Sequence, residues 1–318
     1  MLRKLSFLWM SLLLISFISP MSSLGGDNKG VLRLALLPIP DVLPVYVALE
    51  KGYFKELGVE VEPLSVGSAV ERDQLMQAGK VDGMINEISG AANFNRDKNQ
   101  VKIISVARAP IGDNPLFRIL AAPGSGITTV ADLAGVPIGI SKNTVIEYIS
   151  TRLLTAGGLT GEEIVYKSVP VLPERLQLLL QGQLKAVTLP DPLGAAAIKA
   201  GAIEVVSDIR KRDVSASVIT FSTDSLTNKT ELVKGFMVAW DRASQDLNQD
   251  PAAYEALMLK KIRVPKNIQG EFAIPPMPIK TLPTMAQWDD VMTWMVEKDL
   301  LDAPLVYEES VISDFLPK

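Results

Sequence analysis

Between residues 31 and 221, short apolar runs alternate with helical segments of about ten residues, and that alternation demands crossover connections and a mainly parallel sheet. Val31-Leu32-Arg33-Leu34-Ala35-Leu36-Leu37 reads as a strand buried on both faces, stopped by Pro38-Ile39-Pro40-Asp41. A helix is expected over residues 44–51, with proline in its first turn and Gly52 just past its end. Residues 59–62 alternate like a half-buried strand, 70–78 read as a helix closed by Gly79, and 81–86 and 101–107 read as strands. The pattern then restarts. A helical turn is expected over 129–133, strands over 136–140, 164–169, 186–189 and 203–206, and helices from Thr144 to about Ala156, over 173–180 and over 194–200.

An internal echo supports the restart. Leu75-Met76-Gln77-Ala78-Gly79-Lys80-Val81-Asp82-Gly83 resembles Leu178-Leu179-Leu180-Gln181-Gly182-Gln183-Leu184-Lys185-Ala186, both running helix, glycine, strand at an offset of 103 residues. That offset is the size of one small α/β lobe, and 318 residues exceed the usual single core, so two lobes of related construction are expected. After a strand over 216–221 the pattern changes to long amphipathic helices over 231–247, 252–262 and 285–297. Five prolines make 264–284 a wrapping surface loop, and Trp240, Trp288 and Trp294 fall in the helices as packing residues.

The chain contains no cysteine and no histidine, which excludes Ser/His/Asp and Cys/His catalysis, imidazole proton shuttling, disulfides and the ordinary zinc sites. No cofactor and no metal are implied. Arg3 and Lys4 precede an apolar run over 5–18 that is short for a membrane span, and Ser23-Leu24-Gly25 places small residues before Gly26. Residues 1–25 are therefore expected to be a cleaved secretory signal, with an uncleaved anchor as the alternative. The 32 Lys and Arg are outnumbered by 36 Asp and Glu, and no basic cluster suits nucleic acid.

The segment Tyr46-Val47-Ala48-Leu49-Glu50-Lys51-Gly52-Tyr53-Phe54-Lys55-Glu56-Leu57-Gly58-Val59-Glu60-Val61-Glu62 resembles the opening of importer binding proteins for nitrate, sulfonates, taurine and thiamine-pyrimidine precursors. Ser125-Gly126-Ile127, Asp132-Leu133-Ala134-Gly135, Gly182 and the 288–301 segment extend the resemblance in order over nearly the whole chain. It implies an α/β fold of two lobes with mainly parallel sheets, joined by two crossover strands near Leu120 and Phe221, with a ligand cleft between the lobes. Residues 26–119 and 222–318 would form the first lobe, carrying the C-terminal helices, and 120–221 the second. It also implies a monomeric periplasmic component of an ABC importer, whose partners are a small-molecule ligand, a permease and its cytoplasmic ATPase. The sequence departs from the family at Lys185, at Pro190-Asp191-Pro192, and in lacking the cysteine of a lipoprotein. Eukaryotic pyrimidine synthases resemble these proteins too, but rely on histidine and cysteine-rich motifs, so an enzyme is not expected. A ligand-sensing module remains an alternative.

In open α/β sheets ligands bind beyond the carboxyl ends of strands, near helix amino ends. Those positions are Pro40, Asp41, Ser65, Gly67, Ser68, Asn86, Glu87 and Arg108 in the first half, and Ser141, Asn143, Thr144, Pro190 and Asp191 in the second. Ser141, Asn143 and Thr144 serve equally as helix caps, Glu147 equally as a first-turn acid, and Arg108 either clamps an anion or pairs with an acid. Asp41, Glu87, Glu147 and Asp191 outnumber Arg108 and Lys142, which favours an amine-bearing, thiamine-precursor-like pyrimidine over a sulfonate, taurine or nitrate. Tyr46, Phe94 or Tyr148 would stack on its ring.

Overall fold

The computed structural model describes residues 30–318, and the signal expected over 1–25 lies outside the described residues. In chain order the first half runs β1 (Val31–Leu36), α1 (Leu43–Lys51), α2 (Tyr53–Glu56), β2 (Glu60–Ser65), α3 (Ala69–Gln77), β3 (Gly83–Glu87), α4 (Ile88–Asn95) and β4 (Val101–Arg108). The second runs β5 (Phe117–Ala121), β6 (Pro137–Ile140), α5 (Val145–Ala156), β7 (Val165–Ser168), α6 (Leu172–Leu180), β8 (Ala186–Pro190), α7 (Leu193–Lys199) and β9 (Ile203–Ser207). Then follow β10 (Ser217–Ser222), α8 (Thr223–Asn228), α9 (Thr230–Gln249), α10 (Glu255–Lys261) and α11 (Met285–Glu297).

These strands form two five-stranded sheets, β2-β1-β3-β10-β4 and β7-β6-β8-β5-β9. In the first sheet β10 runs antiparallel to β3 and β4; in the second β5 runs antiparallel to β8 and β9. The remaining strands are parallel, as the strand–helix alternation requires. The 103-residue echo survives in the elements: α3 and α6 begin at 69 and 172, and β3 and β8 at 83 and 186. Gly79 and Gly182 close the two helices at φ of 63° and 69°, a left-handed conformation that a side chain resists.

Leu120 and Phe221, near which the crossovers are expected, are strand residues paired in the second and first sheet respectively. The chain passes between the sheets over 109–116 and 208–216. Helix α4 is absent from the sequence expectation, because Ser89-Gly90-Ala91-Ala92 is too small-residue-rich to mark a face. In the first lobe α9 packs on α1 and α2, where Phe236 stacks on Phe54 at 5.5 Å and touches Phe221 edge-on. Helix α11 packs on α4 and also reaches the second lobe, with Trp294 edge-on to Tyr148 of α5.

One carboxylate links the two crossings. Asp208, fully buried, accepts from the backbone N–H of Leu116 at 3.1 Å and of Phe117 at 3.1 Å. Arg212 adds a bond to the carbonyl of Pro110 at 3.3 Å. Burial pushes the Asp208 carboxyl from 3.8 up to about 6, while the Phe117 and Leu116 N–H groups and the Arg108 charge pull it back. The native chain therefore binds an extra proton between those two values, so the stability Asp208 contributes is full below the window and is lost as pH rises through 6. Asp208→Asn should remove that slope, gaining up to about 3 kcal/mol relative to the parent between about pH 4 and 7. Urea unfolding of both proteins across that range reads it, and a constant difference contradicts it.

Candidate functional site

The carboxyl edge of the first sheet gathers several of the expected residues. Pro40 and Asp41 open a short helical turn after β1, and buried Asp41 pairs with Arg108 Nη1 at 3.2 Å. Arg108, the last residue of β4, also donates from Nη2 to the Pro115 carbonyl at 2.9 Å, which ties the sheet edge to the first crossing. In the strand register Ser217 lies opposite both Glu87 and Arg108. Asn86 Oδ1 accepts from Thr220 at 2.6 Å. Three buried polar atoms at this edge have no partner among the described residues: Arg108 Nε, Asn86 Nδ2 and Ser217 Oγ. Buried groups of this kind normally find a partner, protein or water.

Other first-lobe candidates are engaged locally. Ser68 accepts from the Glu71 N–H at 3.1 Å and Glu71 Oε2 accepts from the Gly67 N–H at 2.6 Å, closing the amino end of α3 on itself beside Ser65, the last residue of β2. Tyr46 packs into the first-lobe core with the Lys261 ammonium 4.8 Å from its ring centre, and burial raises its phenol pKa.

In the second lobe Thr144 caps α5, accepting from the Ile146 N–H at 3.2 Å, and Asn143 takes a left-handed φ of 59°. Glu147 accepts from the Asn143 N–H at 2.6 Å and pairs with Lys298 at 2.7 Å. Tyr148 is buried with its hydroxyl on Asp290 at 2.6 Å, and Phe94 lies in the last turn of α4, so neither offers a free stacking face at these helix starts. Asp191 accepts from Arg118 Nε and Nη2, both at 2.9 Å, and from the Ala195 N–H at 3.1 Å. Arg118 also contacts Glu204.

An open cleft of about 300 Å³ lies between the lobes at the crossings, lined among others by Arg108, Asn114, Arg118, Asp191, Lys199 and Glu271. Arg108 and Asp191 thus share one space, with Asp41 behind Arg108. Lys199 and Glu271 join the lobes across it at 2.8 Å, and Asp290 and Lys298 join them through α5.

Asp41, Glu87, Glu147 and Asp191 each face a basic partner: Arg108, Arg72, Lys298 and Arg118. The expected excess of acid is cancelled within the chain. None of these partners except Arg108 was legible as such, because they stand 15 to 151 residues away in sequence with no local pattern connecting them. Arg72, Arg118, Lys298 and Asp208 are the site-proximal residues that sequence reading missed; for Arg72 alone the 103-residue offset carried a signal.

A family model described as NMT1/THI5 like matches residues 39–254. The chain belongs to that family. Within curated proteins, a 95-residue stretch is 33% identical to the Saccharomyces cerevisiae 4-amino-5-hydroxymethyl-2-methylpyrimidine phosphate synthase THI11, covering 29% of this chain and 26% of that enzyme. The match therefore spans about a quarter of the curated relative. Among solved structures, the periplasmic aliphatic sulphonate binding protein SsuA of Escherichia coli superposes with a TM-score of 0.75 at 15% identity, over 91% of this chain and 94% of that one. The alkanesulfonate-binding protein SsuA of Xanthomonas axonopodis, bound to MOPS, gives 0.73 at 16% identity, over 89% and 98%. At these identities the likeness establishes that this NMT1/THI5-like chain has the fold of periplasmic binding proteins.

The ion pairing also fixes what a substitution does. Asp191→Ala leaves the part-buried Arg118 with Glu204 as its remaining acid and frees the Ala195 N–H in the first turn of α7, so it should lower folding stability by on the order of 2 kcal/mol in urea unfolding. An unchanged midpoint would mean the pair is solvated and contributes nothing.

Proposed function

We propose that this protein is an extracytoplasmic solute-binding component of an ABC importer, which captures a small molecule between its lobes and presents it to a permease driven by a cytoplasmic ATPase. The observation that carries this reading is the open cleft between the lobes, which Arg108 lines at the carboxyl edge of the first sheet, with Arg108 Nε, Asn86 Nδ2 and Ser217 Oγ buried at the same edge without a partner among the described residues. Closure of one lobe on the other would select the liganded state, and the closed shape would be what the permease reads. The leader expected over residues 1–25 supports a place outside the cytoplasm, in the periplasm. The absence of histidine and cysteine from the chain supports capture rather than turnover.

Two of the three unpartnered atoms are N–H donors, which suits a solute rich in acceptors, and the cancelled carboxylates remove the charge argument for an amine-bearing ring. A sulfonate-type solute is therefore the first reading, in line with what the two SsuA proteins are named for. A thiamine-precursor aminopyrimidine is the second, favoured by the partial match to the yeast pyrimidine synthase.

Thermal unfolding of the chain from Gly26 onward against alkanesulfonates, taurine, nitrate and 4-amino-5-hydroxymethyl-2-methylpyrimidine tests the role. A true solute at about a hundred times its Kd should stabilise by about 2.7 kcal/mol and raise the midpoint. A flat response across both classes, or turnover of a panel member, counts against capture.

A further inference from the structure

The end of α10 and the chain just after it concentrate positive charge in a protein that is acidic as a whole. Lys260, Lys261, Arg263 and Lys266 fall within 260–266, a stretch with no acid, whereas the full chain carries 32 Lys and Arg against 36 Asp and Glu. All four are exposed, and none forms an ion pair among the described residues. Helix α1 packs on α10 and brings exposed Lys51 beside them. The Lys51 ammonium lies 5.6 Å from the Tyr254 ring centre, and that of Lys261 lies 4.8 Å from the Tyr46 ring centre, so the two helices run antiparallel with a cation at each end. Beside these five cations the same helix ends carry two exposed acids, Glu50 and Glu255.

Exposed leucines accompany the cations. Leu259 of α10 is 41% exposed, and Leu49, one turn on from Tyr46 in α1, is 37% exposed. The strip also borders the cleft. The Arg263 N–H donates to the Pro38 carbonyl just past β1 at 3.0 Å, and Ile268 and Phe272, a little further along the chain, line the cleft wall. Lysine is a hydrated point charge on a flexible stem, which attracts without imposing a geometry. It is depleted at protein–protein interfaces, whereas clusters of it beside apolar side chains suit anionic lipid surfaces. The run is too short to track a nucleic-acid backbone.

We propose that this strip is a peripheral docking surface for an anionic lipid bilayer. The ammonium and guanidinium groups meet the headgroup charges, and Leu49 and Leu259 rest against the boundary with the acyl chains. The rest of the chain carries a larger excess of acid than the whole and is repelled by the same surface, so contact is confined to one orientation. In that orientation the carboxyl edge of the first sheet, where the cleft lies, borders the bilayer. The value of such docking rests on the capture reading, which places a permease in that bilayer; the docking itself needs neither solute nor permease.

Co-sedimentation with phosphatidylcholine vesicles, with and without about a third phosphatidylglycerol, tests this at low ionic strength. The chain from Gly26 onward is used, which keeps every described element and removes the apolar 5–18 run. It should pellet with the anionic vesicles and not with the neutral ones, and added salt should release it. Lys260→Gln, Lys261→Gln, Arg263→Gln and Lys266→Gln together should weaken binding about tenfold or more. The same change at four exposed lysines elsewhere, Lys80, Lys98, Lys167 and Lys185, alters net charge equally but should weaken binding less than about threefold. Should the first variant fail to fold, Lys260→Gln with Lys266→Gln, which leaves Lys261 on Tyr46, decides in its place against the pair Lys80→Gln with Lys167→Gln. No pelleting of the parent with anionic vesicles, or an equal loss in strip and control variants, overturns the proposal. Binding only to neutral vesicles that carry a permease, lost in the strip variant, also overturns it and gives the strip to a protein partner. Solute capture is read separately by the thermal panel, so a flat panel with intact vesicle binding removes capture and leaves docking.

Discussion

Two segments of chain must cross between the sheets, and a single buried carboxylate holds both. Because β5 and β10 each insert antiparallel beside the edge strand of the sheet opposite to the one the chain has just left, neither sheet is complete without the other's crossing. Asp208 begins the second crossing and bonds the last residue of the first, so the two cannot swing independently. Movement of one lobe on the other has to be absorbed by backbone rotation within 109–116 and 208–216 while that bond persists. The cleft lies beside these crossings, and Arg108 is part of both: it bonds the Pro115 carbonyl and its charge acts on Asp208.

Around that joint the protein treats buried charge differently in its two halves. The first lobe matches every buried arginine of its sheet edge within the chain, Arg108 with Asp41 and Arg72 with Glu87 and Asp73. The second matches Arg118 with Asp191 but gives Arg175 only carbonyls and a hydroxyl. A repeat built on one plan thus ends with one half closed electrostatically and the other open.

Much of the fold was readable because strand and helix periodicity is local. Glycines at 79 and 182 placed the ends of α3 and α6 and the starts of β3 and β8 to within about two residues. Helix α4 escaped because small residues carry no amphipathic signal, and β5 because a five-residue apolar strand after an irregular crossing looks like the crossing itself. The candidate site was legible only as positions, through the rule that ligands sit at the carboxyl ends of strands. Its electrostatics was not, since the partners of Asp41, Glu147 and Asp191 lie 67, 151 and 73 residues away and only the folded chain brings them together. Counting charges along the sequence therefore favoured an amine-bearing ligand, and pairing them in space removes that preference.

The joint itself can be tested without knowing the solute, by amide hydrogen exchange at Leu116 and Phe117. With Asp208 bonded to both, these N–H groups should exchange as slowly as strand amides such as that of Ile219 in β10. Exchange as fast as at the exposed turn residue Gly124 would contradict a pinned joint, and with it the coupled movement of the two crossings.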